Sequence, residues 1–148
     1  MDIIITPGKL CGTLEAPPSK SHAHRLMTAT WLAGKKISES LCTSEDTRAT
    51  FRCLNELHDG GILDCGESGT TLRFLLPVAS ALGINAEFIG HGRLPERPMS
   101  ALNNALRENG AVISADNLPI KVSGQLHPGV FRVPGNISSQ FISGLLFA

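Results

Sequence analysis

The sequence has no excess of charge of either sign and few aromatic side chains. Its 148 residues include 13 basic and 13 acidic side chains, no tyrosine, and an aromatic content of 5%. A net charge of zero does not provide the broad positive surface that binds nucleic acid, and scarce aromatic rings leave few platforms for stacked bases. The composition therefore argues against a nucleic-acid-binding protein, and any anion site has to be local.

Cysteines and long apolar runs are also scarce. The four cysteines form no CxxC pair, and no histidine pair follows them at zinc-finger spacing. The most apolar run, residues 72–82, is short and contains Arg73 and Pro77, so we expect no membrane span. The amino terminus lacks the basic start and long apolar segment of a signal peptide. We expect a cytoplasmic protein with reduced thiols, no metal and no cofactor.

The remaining composition, 42% apolar and 18% charged, is typical of a folded domain. Helices are predicted to begin near residues 19–21, at Ser44, after the turn at residues 66–71, at Pro98 and at Ser138, and the third of them is predicted to end at Gly83. Strands are predicted at residues 3–5, 10–14, 37–42, 62–65, 86–89, 112–114, 120–122 and 130–133. This order predicts an α/β chain of the α+β type, with about two copies of a repeated unit and the start of a third. The last residues lie inside an apolar helical run without a cap, so we expect a fragment of a longer protein.

The stretch PPSKSHAHR, residues 17–25, places several polar side chains at the start of a predicted helix. Unpaired N–H groups and the positive end of the helix dipole favour anions there. Lys20 adds a mobile charge, and Ser21 and Arg25 share one helix face. The alternative is a Ser19 cap with solvated basic side chains. His22 and His24 point to nearly opposite sides, so they cannot share a metal ion.

Three further stretches have the same character. CGESGTTLR, residues 65–73, is a glycine-rich turn into a helix, but it lacks the GK[ST] ending of a nucleotide-binding loop. GHGRLPERP, residues 90–98, holds two arginines, and Pro98 forces Arg97 into an extended conformation suited to a bidentate anion contact. Ser138, Ser139 and Gln140 offer two hydroxyls and an amide at a helix start. Alone, each is also compatible with a capped helix or a surface loop.

Together these motifs resemble one family. SKS followed by Arg25, GESGTTLRF, RLPERPM and GNISSQF occur in the order found in 5-enolpyruvylshikimate-3-phosphate synthase, also called 3-phosphoshikimate 1-carboxyvinyltransferase. The resemblance runs from about residue 11 to the last residue. It implies transfer of the enolpyruvyl group of phosphoenolpyruvate to the 5-hydroxyl of shikimate-3-phosphate, with release of phosphate, in aromatic amino acid biosynthesis. It also implies a fold of repeated βαβαββ units in two domains that close on the substrates.

The resemblance also implies roles for individual residues. The shikimate-3-phosphate contacts would be Lys20, Ser21, Arg25, Ser138, Ser139 and Gln140. The phosphoenolpyruvate contacts would be Lys20, Gly69, Arg97 and Gln140, and Lys20 would be the one catalytic group. A side chain at Gly69 would intrude on phosphoenolpyruvate and alter glyphosate sensitivity. Thr70, Arg73 and Arg93 would be supporting residues only.

The family's domain organisation predicts how this chain is divided. Residues 1–14 would be strands that pack with a second domain, and residues 15–148 would be part of the shikimate-phosphate-binding domain. The missing second domain would be the natural partner, and without its acid–base groups the chain would be inactive. One alternative is the related enzyme that acts on UDP-N-acetylglucosamine, which typically has Lys-Asn where this chain has Lys20-Ser21. Another is a non-catalytic anion- or RNA-binding domain of related fold.

Overall fold

A computed structural model describes residues 3–4, 6–9 and 11–148. In this part the helices are α1 (Lys20–Leu32), α2 (Glu45–Glu56), α3 (Gly69–Leu82), α4 (Ser100–Glu108) and α5 (Ser139–Phe147). The strands are β1 (Gly61–Asp64), β2 (Ala86–Ile89), β3 (Ala111–Ile113) and β4 (Ile120–Gly124). Short 3-10 turns lie at Glu39–Leu41, Leu57–Asp59 and Leu94–Glu96.

Serine side chains begin four of the helices in the described part of the chain. Each accepts a hydrogen bond from a backbone N–H in the first turn, which would otherwise have no partner. These caps are Ser19 for α1, Ser44 for α2, Ser68 for α3 and Ser138 for α5. The predicted starts of α1, α2 and α5 are confirmed. The predicted end of α3 at Gly83 is also confirmed, since this glycine adopts the left-handed conformation with φ of 68°.

The sheet is mixed and has the order β1-β2-β4-β3. Strands β1 and β2 are parallel and joined through α3, whereas β4 is antiparallel to both β2 and β3. Helix α3 is the centre of the molecule, because 11 of its 14 residues are buried. The core includes Phe74, Phe88 and Phe141, whose burial contributes roughly 1.5–3 kcal/mol each. This architecture confirms the predicted α/β class, while the number of repeats stays a prediction.

Two predicted strands are wrong. Residues 37–42 contain the 3-10 turn Glu39–Leu41, because the Ser38 side chain accepts a hydrogen bond from the backbone N–H of Ser40 and favours a local turn. Residues 130–133 are extended but join no strand, and Val130 is exposed. The edges of the sheet are β1 and β3, and neither pairs with this segment.

The predicted helix start at Pro98 is also wrong. Helix α4 begins at Ser100 after Met99, and Pro98 lies before it with its carbonyl bonded to Arg73 at 3.1 Å. The strand predictions for residues 3–5 and 10–14 fall partly on residues 5 and 10, which lie outside the described residues. The described residues of these two segments form no strand. The division into residues 1–14 and 15–148 stays a prediction.

Candidate functional site

Four helices start at the same end of the molecule. Three hydrogen bonds near their first turns connect neighbouring helices: Lys20 to Asp46 at 2.7 Å, Thr50 to Thr71 at 2.6 Å, and Gln140 to Thr70 at 2.7 Å. They join α1 to α2, α2 to α3, and α3 to α5 in turn. Since unpaired N–H groups and positive dipole ends concentrate at helix starts, this end of the molecule favours anions.

The start of α1 carries the first predicted group. Ser19 accepts a hydrogen bond from the backbone N–H of His22, which confirms the cap. Lys20 forms an ion pair with Asp46 of α2, and its side chain remains 55% exposed. Arg25 donates to the carbonyl of Ser21 at 3.0 Å and to Ser143 Oγ in α5 at 2.9 Å. Arg25 therefore connects α1 to α5.

Arg25 also lies against the core. Its guanidinium carbon is 5.4 Å from the centre of the Phe74 ring in α3, within the range of a cation–π contact. The side chain is therefore fixed from three sides, by its own helix, by α5 and by α3.

The start of α5 carries the second group. Ser138 accepts a hydrogen bond from the backbone N–H of Gln140, and Ser139 is exposed beside it. The Gln140 side chain donates to Thr70 Oγ1 at 2.7 Å and accepts from Arg73 at 2.9 Å. Two of the three predicted residues at this helix start are therefore held against α3.

Gly69 and Arg97 form the third group. A Cβ atom built on Gly69 would lie 2.7 Å from Nη1 of Arg97, so the guanidinium occupies the space that a side chain would need. Arg97 has the extended conformation predicted from the following proline, with φ of −76° and ψ of 138°. A cavity of about 380 Å³ is lined by Arg93, Glu96, Arg97 and Pro98. Arg97 is exposed and available to a ligand at this cavity.

Arg73 has a larger part in the site than the sequence indicated. It is 8% exposed and donates to Gln140, to Ser138 Oγ at 3.4 Å and to the Pro98 carbonyl at 3.1 Å. Burial lowers the pKa of its guanidinium, and the positive charge of Arg97 lowers it further. The sequence offered one indication of this part in the site, since Arg73 lies one turn after Gly69 on the same helix.

A buried chain of hydrogen bonds under the helix starts was missed entirely. His24 Nδ1 contacts Thr50 Oγ1 at 2.7 Å, Thr50 contacts Thr71 at 2.6 Å, and Thr71 contacts the Ser68 cap at 2.7 Å. Burial lowers the pKa of His24 from 6.5 to about 4. The positive charges of Lys20 and Arg25 also lower it, whereas Asp46 raises it. This chain of polar contacts joins α1, α2 and the turn before Gly69.

Two other properties bear on function. In the described residues, no group of three or more histidine, cysteine or acidic side chains is placed to hold a metal ion. None of the helices in that part of the chain has the length and apolar character needed to cross a membrane.

Comparisons with known proteins agree with the motifs. Residues 58–148 match the family model for EPSP synthase (3-phosphoshikimate 1-carboxyvinyltransferase). The 3-phosphoshikimate 1-carboxyvinyltransferase of Clostridium perfringens is 38% identical over 98% of this chain and 40% of its own length. The enzyme of the same name from Methanocorpusculum labreanum is 35% identical over 100% of this chain and 41% of its own length. The chain thus spans about 40% of the length of these curated relatives.

Solved structures agree in fold. An EPSP synthase from Acinetobacter baumannii superposes with a TM-score of 0.72 and 23% identity, over 92% of this chain and 37% of that one. A second structure of the enzyme from this organism gives a TM-score of 0.73 and 24% identity. At this identity the likeness establishes the fold, while the family model and the curated relatives establish the family. The chain belongs to the EPSP synthase family.

Proposed function

We propose that this chain is the shikimate-3-phosphate-binding part of a 3-phosphoshikimate 1-carboxyvinyltransferase. The complete enzyme would transfer the enolpyruvyl group of phosphoenolpyruvate to the 5-hydroxyl of shikimate-3-phosphate and release phosphate. The chain spans about 40% of the length of its relatives, so the proposed activity is that of a longer protein.

The gathering of four helix starts at one end supports this proposal most directly. The chain has no net charge, so an anionic ligand needs a local positive field. The starts of α1, α2, α3 and α5 supply N–H groups and dipole ends, and basic side chains lie among them. A ligand with separate phosphate and carboxylate groups would use several of these starts at once.

The proposed residue roles follow the positions of the side chains. Shikimate-3-phosphate would contact Lys20, Ser21, Arg25, Ser138, Ser139 and Gln140. Phosphoenolpyruvate would contact Lys20, Gly69, Arg97 and Gln140. Because the Lys20 side chain is 55% exposed, it can turn from Asp46 to a ligand. Gln140 lies between the two sets of contacts, since it bonds α3 from the start of α5.

The chemistry explains why this chain would be catalytically incomplete. Enolpyruvyl transfer requires that the methylene carbon of phosphoenolpyruvate gain a proton as the 5-hydroxyl loses one. Among the proposed contacts only Lys20 can exchange a proton, since Arg25 and Arg97 stay charged. The remaining groups, and the closure that excludes water, would come from a second domain, which would also pack with the first 14 residues.

Calorimetric titration of the folded chain tests the proposal. Shikimate-3-phosphate should bind at millimolar or lower concentration, whereas UDP-N-acetylglucosamine and an RNA oligonucleotide should not. The two comparison ligands represent the related sugar-nucleotide enzyme and a nucleic-acid-binding domain. No binding of shikimate-3-phosphate to a demonstrably folded sample would refute the proposal.

A matched pair of variants locates the binding. Arg25→Ala should weaken shikimate-3-phosphate binding about tenfold or more, because a charge-assisted hydrogen bond contributes roughly 1.5–3 kcal/mol. Arg93→Ala removes an exposed arginine that is only a supporting residue and should have a smaller effect. Equal effects of both substitutions would show that the roles are misplaced.

A further inference from the structure

Arg73 has an environment that packing alone does not explain. The side chain is 8% exposed, although arginine is rarely buried without a partner of opposite charge. In the described residues it forms no ion pair with a carboxylate, and its Nε atom is buried without an acceptor. Arg97, a second cation, is close enough to affect it. An apolar side chain would fill this position at a lower desolvation cost.

The hydrogen bonds of Arg73 all lead to the candidate site. Its Nη1 atom donates to Gln140 Oε1 at 2.9 Å and to Ser138 Oγ at 3.4 Å. Its Nη2 atom donates to the carbonyl of Pro98 at 3.1 Å, directly after Arg97. The guanidinium also lies over the ring of Phe141, with its carbon 5.1 Å from the ring centre. One side chain thus fixes the start of α5 and the segment that carries Arg97.

The contact with Gln140 determines how that amide is oriented. Arginine has only donors, so the oxygen of the amide has to face Arg73. The amide nitrogen then faces Thr70 and donates to its hydroxyl at 2.7 Å. Since both ends of the amide are used, Gln140 is held in one orientation before any ligand arrives.

We infer that Arg73 is a positioning residue that holds Gln140, and the segment carrying Arg97, in the geometry that binds the anionic substrates. The inference rests on the proposed function, because Gln140 and Arg97 are contacts assigned there. Arg73 acts through these neighbours.

A measurement on the unsubstituted chain tests whether the Gln140 amide is held in one orientation. The side-chain amide of Gln140 should be as rigid as the surrounding backbone in NMR relaxation, because it is fixed at both ends. Gln125 is the internal comparison, since its amide is exposed and, within the part of the chain that the structure describes, makes a single hydrogen bond of 3.4 Å. If the two amides are equally mobile, Arg73 does not hold Gln140 and the inference is overturned.

A double-mutant cycle tests whether Arg73 acts through Gln140. Arg73→Lys keeps the charge but cannot reach three acceptors, so shikimate-3-phosphate binding should weaken about tenfold. Gln140→Ala should also weaken it. The double variant should bind no more weakly than the weaker single variant, because both changes remove the same arrangement. Additive losses would show that Arg73 does not act through Gln140.

Arg107→Lys provides the matched control for a partly buried arginine with several acceptors. Arg107 lies in α4 and bonds Asp116, Asn104 and the carbonyl of Ile113. This substitution should leave the affinity within about twofold, and urea unfolding of each variant reports its stability. If Arg73→Lys does not fold, the NMR measurement on the unsubstituted chain still shows whether Arg73 holds the Gln140 amide. If the unsubstituted chain binds no shikimate-3-phosphate, the proposed function fails, and the amide measurement separately reports whether Arg73 holds Gln140.

Discussion

The two sides of the candidate site are built differently. The α1–α2 rim, formed by Lys20 and Asp46, is a largely exposed ion pair between a lysine and an aspartate. The α3–α5 seam, formed by Arg73, Gln140 and Gly144, is mostly buried and held by hydrogen bonds and close packing. An exposed ion pair contributes little to stability and exchanges readily, whereas buried polar groups are costly to rearrange. The rim is therefore suited to adapt to a ligand, and the seam is suited to receive one without moving.

Gly144→Ala should cause the largest loss of stability, because the added methyl group would force α3 and α5 apart at the seam. Pro77 has no N–H to offer the carbonyl of Arg73, and Gly144 packs directly against that carbonyl. A methyl group there would have to push α5 from α3, at a cost of about 3 kcal/mol. Urea unfolding measures the loss. Gly135→Ala is the control, since a Cβ there has open space and should change stability by less than about 0.5 kcal/mol.

Lowering the pH should weaken the contacts beneath the rim. The pKa of His24 is lowered from 6.5 to about 4 in the folded chain, so the unfolded chain binds the proton more readily. The stability that neutral His24 contributes is therefore present above pH 6.5 and lost as the pH falls toward 4. Between pH 7 and pH 5 the loss is about 2 kcal/mol.

Urea unfolding of a matched pair of variants isolates this contribution. His24→Gln should remove most of the decrease in stability between pH 7 and pH 5. His22→Gln should not, since His22 is exposed on the same helix. A pH dependence that is unchanged in His24→Gln would mean that another group is responsible.

Gly69→Ala, at the edge of the seam, should lower the affinity for phosphoenolpyruvate without lowering the stability of the fold. The added Cβ would meet the far end of the Arg97 side chain, which can move, so the free energy of unfolding should change little. The displaced guanidinium should weaken phosphoenolpyruvate binding about tenfold while shikimate-3-phosphate binding is retained. Titration with each ligand distinguishes the outcomes, and an equal loss for both would show that the whole site has been disturbed.

Lys20→Met should have only a small effect on the free energy of unfolding, and this substitution characterises the rim. Removal of an exposed ion pair should change the free energy of unfolding by less than about 1 kcal/mol. Asp46→Asn, which breaks the same pair from the other side, should behave alike. A loss above about 2 kcal/mol in urea unfolding would mean that the rim is as fixed as the seam.

Local signals made much of the fold predictable. Serine caps and terminal glycines act within one turn, so the starts of α1 and α2 and the end of α3 could be read from the sequence. Strand pairing is not local. Residues 130–133 have the composition of a strand, but a strand also needs a neighbour, and the sheet order provides none.

The helix starts that form the site could be predicted from the sequence, whereas most of the contacts that support them could not. Ser19 and Ser138 cap the helices on which the predicted contacts lie. The partners of Lys20 and Arg73 lie 26 and 67 residues along the chain, at Asp46 and Gln140. The spacing of His22 and His24 indicated only that they cannot share a metal ion, and it takes the packing of α1 on α2 to show that His24 is buried. Such contacts depend on how helices meet, which no local pattern records.

The start of four helices at one end of the molecule affects how sequences with this fold can diverge. The donors at a helix start belong to the main chain, so they survive any substitution that still permits the helix to begin. Side chains around the site can therefore be exchanged over evolutionary time while much of the positive field is inherited with the backbone. The superposition on a structure that is only 23% identical shows that the backbone fold itself tolerates such extensive replacement.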